Sequence, residues 1–169
     1  KQKESGEVLL EVSVETLVGH KLAGAHLPEA DLSGIDLSNC DLRNADLRGA
    51  VFTESICERT FFHSANVSDA NFDRAKMSGA DFTDARVEGA SFEGTQLAKA
   101  LFRYAKVSDA NFSDADLTEA DVSSADLRAN FDHATLVRAD LRGSDLSGAN
   151  LTAANLKGAK LMADNLGGA

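Results

Sequence analysis

Two cysteines, four histidines and a long series of aspartates are the residues of this chain best equipped for chemistry. Cys40 and Cys57 could form a disulfide, act as thiolate nucleophiles or join a metal site, and each use demands a different neighbourhood. There is no Cys-x-x-Cys, and His20, His26, His63 and His133 are scattered, with no two at a metal-ligand spacing. The histidines therefore read as surface or corner residues. Asp31, Asp36, Asp41, Asp46, Asp116, Asp121 and Asp126 fall at intervals of five or its multiples. Carboxylate pairing or a calcium ladder would use such a series, but the glycine-rich nonapeptide that binds calcium in some repeat proteins is absent. An aspartate at the head of a turn also accepts hydrogen bonds from the turn backbone, and that use fits the spacing better. Asn66-Val67-Ser68, Asn111-Phe112-Ser113 and Asn150-Leu151-Thr152 match the glycosylation sequon. A repeat that writes Asn, an apolar residue and then Ser or Thr generates sequons by accident. No acid, base or metal set converges, so the chain does not read as an enzyme, and no catalytic residue, metal or cofactor is assigned.

The elements that carry these residues are set by an internal repeat. Every fifth residue from Leu17 to Leu127 is apolar, and a second series runs from Phe131 to Leu166. With 43% apolar residues overall, an unbroken run of that length has a chance probability on the order of 10^-11. Two places before each apolar position, from residue 25 to residue 159, stands a small residue. It is nearly always Ala, with Ile35, Cys40, Ser55, Thr60, Thr95 and Ser144 as exceptions. A period of five matches neither the 3.6 of a helix nor the 2 of a strand, so no continuous element can present both series to one core. The chain must turn once per repeat.

That pattern, as in Ala30-Asp31-Leu32-Ser33-Gly34 and Ala45-Asp46-Leu47-Arg48-Gly49, resembles the pentapeptide-repeat family. The resemblance covers roughly Leu17 to Leu161. It implies an all-β solenoid: a right-handed quadrilateral β-helix with four pentapeptides per coil, about seven coils and a length of roughly 35 Å. The sequence supports four repeats per coil independently. At a spacing of 20, one inward column holds Leu32, Phe52, Phe72, Phe92, Phe112 and, after a shift, Phe131; a second holds Phe62, Phe82 and Phe102; a third holds Val67, Val87 and Val107. Like stacks on like. The register slips once, because Leu127 and Phe131 are four residues apart, and a tightened corner near Arg128 is expected. Residues 1–16 lie outside the repeat and alternate at Val8, Leu10, Val12 and Val14, so they are expected to cap the first coil. The repeat proper is residues 17–166 and residues 167–169 are a tail.

Composition narrows the partners. Seventeen Lys and Arg against 27 Asp and Glu give a formal charge of -10, which repels phosphate backbones and anionic membranes. Direct nucleic-acid binding is not expected. No apolar run approaches the roughly 18 residues of a membrane span, and no signal peptide opens the chain. A soluble protein is expected, cytoplasmic or, if a leader was removed before Lys1, lumenal or periplasmic. Cys40 and Cys57 both fall at inward positions. Filler thiols are one reading, and a disulfide, with its oxidising compartment, is the other.

Function is thus expected on the outside, as a protein-interaction or structural scaffold, monomeric or weakly homodimeric. Asp31, Asp73, Glu93 and Asp132 share the Phe-rich side, and Asp69, Asp109 and Asp114 flank it at its corners. The opposite side carries Lys21, Arg43, Arg103, Arg142 and Lys160 among its aspartates. Among similar proteins, the quinolone-resistance members bind DNA gyrase by imitating duplex DNA, so the resemblance implies a DNA-mimicking regulator as the alternative. Those members dimerise through a C-terminal apolar helix, whereas here the repeat decays into residues 163–169 without one. A second surface is apolar. Val51, Ile56, Phe61 and Leu101 occupy outward slots where Asp or Asn is usual, and Arg103 and Tyr104 adjoin Leu101; exposed apolar patches often mark interfaces.

Overall fold

The computed structural model describes residues 16–162, together with Gly6. The expected cap, apart from Gly6 and Thr16, and the tail with Leu166 lie outside the described residues. Within residues 16–162 the residue ahead of the inward side chain pairs in parallel with its counterpart 20 positions on, or 19 across the slip: Lys21 with Asp41, Asp41 with Phe61, Phe61 with Asp81. Four pentapeptides therefore close one square coil. The first side carries Leu32, Phe52, Phe72, Phe92, Phe112, Phe131 and Leu151 inward, and the second side Leu37, Cys57, Met77, Leu97 and Leu117. The third carries Leu42, Phe62, Phe82, Phe102 and Val122, and the fourth Leu47, Val67, Val87, Val107 and Leu127.

Backbone hydrogen bonding explains why these pentapeptides adopt this path. In residues 41–45, the N–H of Asp41 donates to His20 in the coil below at 2.9 Å, and those of Leu42 and Asn44 donate to Phe61 and His63 in the coil above at 2.8 and 3.0 Å. Ala45 closes the turn on the Leu42 carbonyl at 3.1 Å. Only the Arg43 N–H remains, and Oδ1 of Asp41 accepts it at 3.2 Å. An Asp or Asn heading the repeat thus satisfies the one donor that the ladder leaves over. The corner residue, second after the inward one, has a φ of 53–74°, whether it is Gly34, Asp69, Arg74 or Tyr104. Positive φ at that place alone marks a type II turn, which is why glycine recurs there.

The Phe side chains of the first and third sides meet across the axis. Phe52, Phe72, Phe92 and Phe112 stack with centroids 4.6–4.8 Å apart, as do Phe62, Phe82 and Phe102. The two ladders interlock edge to face at 5.7–5.9 Å. Both are favoured aromatic arrangements. The Ala columns fill the corners, and the buried exceptions satisfy their own hydroxyls: Thr60 and Thr95 donate to the carbonyls of Leu37 and Phe72, each at 2.8 Å, and Ser144 to that of Leu141 at 2.6 Å.

At the slip, Ala129 N–H closes directly on the Leu127 carbonyl at 2.7 Å, a three-residue turn in place of a four-residue one. The columns survive it. Asn111 pairs with Asn130, 19 positions on, and Phe131 still stacks on Phe112 at 5.1 Å.

Candidate interaction surfaces

Burial disposes of the thiols as reactive groups. Cys40 and Cys57 are both buried, and both are free in this structure. Burial pushes the Cys57 thiol up to about 12 and raises that of Cys40 as well; neither supplies a thiolate near neutral pH. Cys40 donates to the Leu17 carbonyl and Cys57 lies 3.4 Å from the Ser55 hydroxyl. His26 and His133 rest beside Asp46 and Asp132, each at 3.0 Å. Among the described residues no group of three or more His, Cys, Asp or Glu could hold a metal ion.

The aspartates at the repeat heads are turn acceptors first. Asp31 and Asp36 receive the N–H groups of Ser33 and Ser38 at 3.1 and 2.9 Å, and hydrogen bonding from those serines lowers both carboxyl pKa values. Where an Arg follows two positions later, the same carboxylate also takes its guanidinium in a fork, as in Asp41–Arg43, Asp46–Arg48, Asp126–Arg128 and Asp140–Arg142. Sequence counting missed this Asp-Leu-Arg pairing, although positions two apart on an extended strand share a face. It changes the electrostatics of the rod. Arg43 and Arg142, counted as positive charge on the third side, are neutralised by their own aspartates, and Arg103 and Lys160 lie 3.7 and 3.4 Å from Asp121 and Asp140.

The first side is different. Asp73 and Glu93 stand on consecutive coils, with Asp69 and Asp109 along one corner and Glu54, Arg74 and Asp114 along the other. Among the described residues, Asp31, Asp69, Asp73, Glu93, Asp109 and Asp114 have no cationic group within 4.0 Å, and Asp132 has only His133. Glu54 faces Arg74 at 3.6 Å. Asp73 is held in place by the Ser91 hydroxyl at 2.5 Å and the Glu93 N–H at 3.1 Å, donors that leave its charge uncancelled.

The apolar slots do not form one patch. Val51 lies on the first side and Ile56 on the second, both half-buried, while Phe61 and Leu101 share the third. There the column reads Asp41, Phe61, Asp81, Leu101, Asp121. Phe61 is 44% exposed and Tyr104, at the adjoining corner, 63%.

Comparison with known proteins bears on the scaffold that holds these surfaces. The family profile of pentapeptide repeats matches in eight copies, over residues 17–54, 30–68, 55–94, 95–128 and 128–161. The chain belongs to the pentapeptide-repeat family. Like other pentapeptide-repeat proteins it is a right-handed quadrilateral β-helix. A trypsin-treated variant of QnrB1, a plasmid-mediated fluoroquinolone resistance protein, is 23% identical with a TM-score of 0.60, covering 88% of this chain and 84% of its own. A second such variant of QnrB1 is 22% identical with a TM-score of 0.50, covering 88% and 92%. HetL, a pentapeptide repeat protein involved in heterocyst differentiation regulation from the cyanobacterium Nostoc sp. strain PCC 7120, is 32% identical over 83% of this chain and 71% of its own, with a TM-score of 0.26. No curated protein matches the chain at a significant level. The likeness to QnrB1 is a likeness of fold. Pentapeptide-repeat proteins are generally non-catalytic scaffolds, and among the described residues no helix is long and apolar enough to cross a membrane.

Proposed function

We propose that this chain is a non-enzymatic binding rod that presents its first side, with the two adjoining corners, to a basic surface on a partner protein. One observation carries the reading: most carboxylates heading the repeats of the third and fourth sides are paired with Arg or Lys, as Asp41, Asp46, Asp121, Asp126 and Asp140 are, whereas among the described residues Asp73 and Glu93 of the first side, and Asp69, Asp109 and Asp114 at its corners, have no cationic group within 4.0 Å. Unscreened charge of one sign steers encounter and selects a complementary surface. The side is supported by a rigid aromatic core, so its charges keep a fixed spacing of about 4.8 Å along the axis. A DNA-binding protein is one class of partner with such a surface, and DNA gyrase is the instance that the resemblance to quinolone-resistance proteins suggests.

The test uses supercoiling by purified gyrase and pull-down of bound proteins, comparing the parent with Asp73→Lys/Glu93→Lys and with Asp81→Lys/Asp121→Lys. Activity and partners lost only in the first variant support the acidic side. Loss only in the second overturns it in favour of the third side. No effect of the parent on supercoiling at micromolar protein removes gyrase.

A second reading rests on the exposure of Phe61 and Tyr104. Here a partner or a second copy covers Phe61, Leu101, Arg103 and Tyr104, since aromatic and Arg residues anchor interfaces. Replacing Phe61 and Leu101 together by Asp then changes mass in solution or partners. Unchanged stability, mass and partners sink it.

A further inference from the structure

The deleted corner residue has a consequence on the outside. The corner between the fourth and first sides runs Glu29, Gly49, Asp69, Gly89, Asp109, then a gap at the slip, then Gly148. The gap opens a notch of about 290 Å³, lined by Asp109, Arg128, Asn130, Gly148 and Asn150 over a floor of Ala110 and Ala129. Elsewhere in this column each corner N–H donates to the next coil: Asp69 to Glu88 at 3.0 Å, Gly89 to Ser108 at 3.1 Å, Asp109 to Arg128 at 3.0 Å. The residue that would donate to the Ser147 carbonyl is the one that is missing. The Ser147 carbonyl, next to Gly148 of the lining, therefore lacks the corner N–H that covers its counterparts at Ser68, Glu88, Ser108 and Arg128.

Charge decides what fits. Arg128 is held in a fork by Asp126, lies 3.9 Å from Asp145 and also interacts electrostatically with Asp109, so one guanidinium faces three carboxylates. Asp109, on the rim, has no cationic group of the described residues within 4.0 Å. The Asn130 and Asn150 amides are fixed in a ladder, Asn130 donating to Asn111 at 2.9 Å and Asn150 to Asn130 at 2.8 Å. Gly148 has nothing within 4 Å of where a Cβ would stand, which leaves the mouth open. A carboxylate and a carbonyl across an open recess suit a planar cation with several donors better than a compact one.

We propose that the notch receives an arginine side chain of the partner protein and so fixes where along the rod that partner sits. This rests on the acidic-side reading, of which it supplies the register. The rest of the first side attracts a basic surface without locating it, since similar acidic positions recur from coil to coil. The slip occurs once.

The probe is the peptide acetyl-Gly-Ser-Arg-Ser-Gly-amide, titrated into the isotopically labelled full chain and followed by amide chemical shifts, with a norleucine peptide as control. Two variants accompany the parent: insertion of one Gly between Arg128 and Ala129, which restores the five-residue repeat, and Asp109→Asn. Shifts confined to Asp109, residues 128–130 and residues 147–148, absent with norleucine, lost on insertion and weakened about tenfold by Asp109→Asn, are expected. Shifts spread along the first side and unaffected by the insertion overturn the notch while leaving the acidic side standing. Equal shifts from the norleucine peptide, or none up to about 20 mM peptide, also overturn it; the acidic side is then judged separately by the charge-reversal comparison. If the insertion variant does not fold, the loss or survival of binding in Asp109→Asn decides.

Discussion

The first and third sides of the rod are nearly alike within and opposite without. Inside, each stacks Phe on Phe at 4.6–4.8 Å and locks into the other edge to face. Outside, the third side pairs Asp41, Asp121 and Asp140 with Arg43, Arg103 and Arg142, while Asp73 and Glu93 of the first have no salt bridge among the described residues. The inward positions answer to packing and the outward ones to water and partners, and the five-residue period keeps the two sets on separate residues. One side can therefore be re-charged without disturbing the ladder that holds it.

The largest expected effect tests the inner equivalence. Phe92→Ala on the first side and Phe82→Ala on the third should each cost about 3–5 kcal/mol, because coils above and below prevent collapse into the void. Their denaturation midpoints should nearly coincide; a gap of more than about 1 kcal/mol would show that the outer difference reaches the core. Smaller effects are expected at the corners, where side chains sit at positive φ on both sides. Tyr104→Gly, φ 59°, and Asp114→Gly, φ 58°, should each stabilise by about 0.5 kcal/mol, as glycine enters this region without strain. Lower melting temperatures instead would mean that the corner side chains contribute more by contact than they cost in strain.

The smallest effect concerns acid. Hydrogen bonding to Arg142 holds the Asp140 carboxyl at about 2 and that of Arg43 lowers Asp41. A folded-state value below the unfolded one, about 3.9, means stability that is present above about pH 4 and is lost as pH falls toward 2. Both arginines are largely exposed, so solvent screening keeps the contribution of each pair small. Asn at positions 41 and 140 keeps the turn acceptor and removes the charge, as Asn66 and Asn111 already do elsewhere. Thermal melts of Asp41→Asn/Asp140→Asn should show a flatter loss between pH 4 and 2 than the parent. Superimposable profiles would assign these pairs no role in stability.

The square coil was legible because burial acts on residue type: an apolar residue every fifth place, with Phe52 over Leu32 and Phe72 over Phe52, leaves no other closed path. Even the slip at Leu127 was visible as a broken count. Surface pairing was harder to read. Arg43 and Arg142 look like free positive charge until the strand geometry puts each guanidinium beside its own aspartate. Val51 and Ile56 look like neighbours of Phe61 because they are close in sequence, yet a turn separates each from the next. The notch left a weaker mark: a missing residue is easily counted, but the uncovered carbonyl of Ser147 follows only from the bonding of the coils beside it.

The direction of the ladder carries a mechanical consequence. Its hydrogen bonds, such as Leu42 to Phe61 and Asn44 to His63, run from coil to coil along the axis, while the covalent chain runs around the perimeter. Tension between the two ends therefore strips bonds from one end inward, a coil at a time, instead of shearing them together. Each coil of 20 residues released gives about 70 Å of extended chain in exchange for about 4.8 Å of rod. Under sideways load the same molecule is braced by interlocked rings; under end-to-end load it unwinds in steps, as a tether that lengthens by turns.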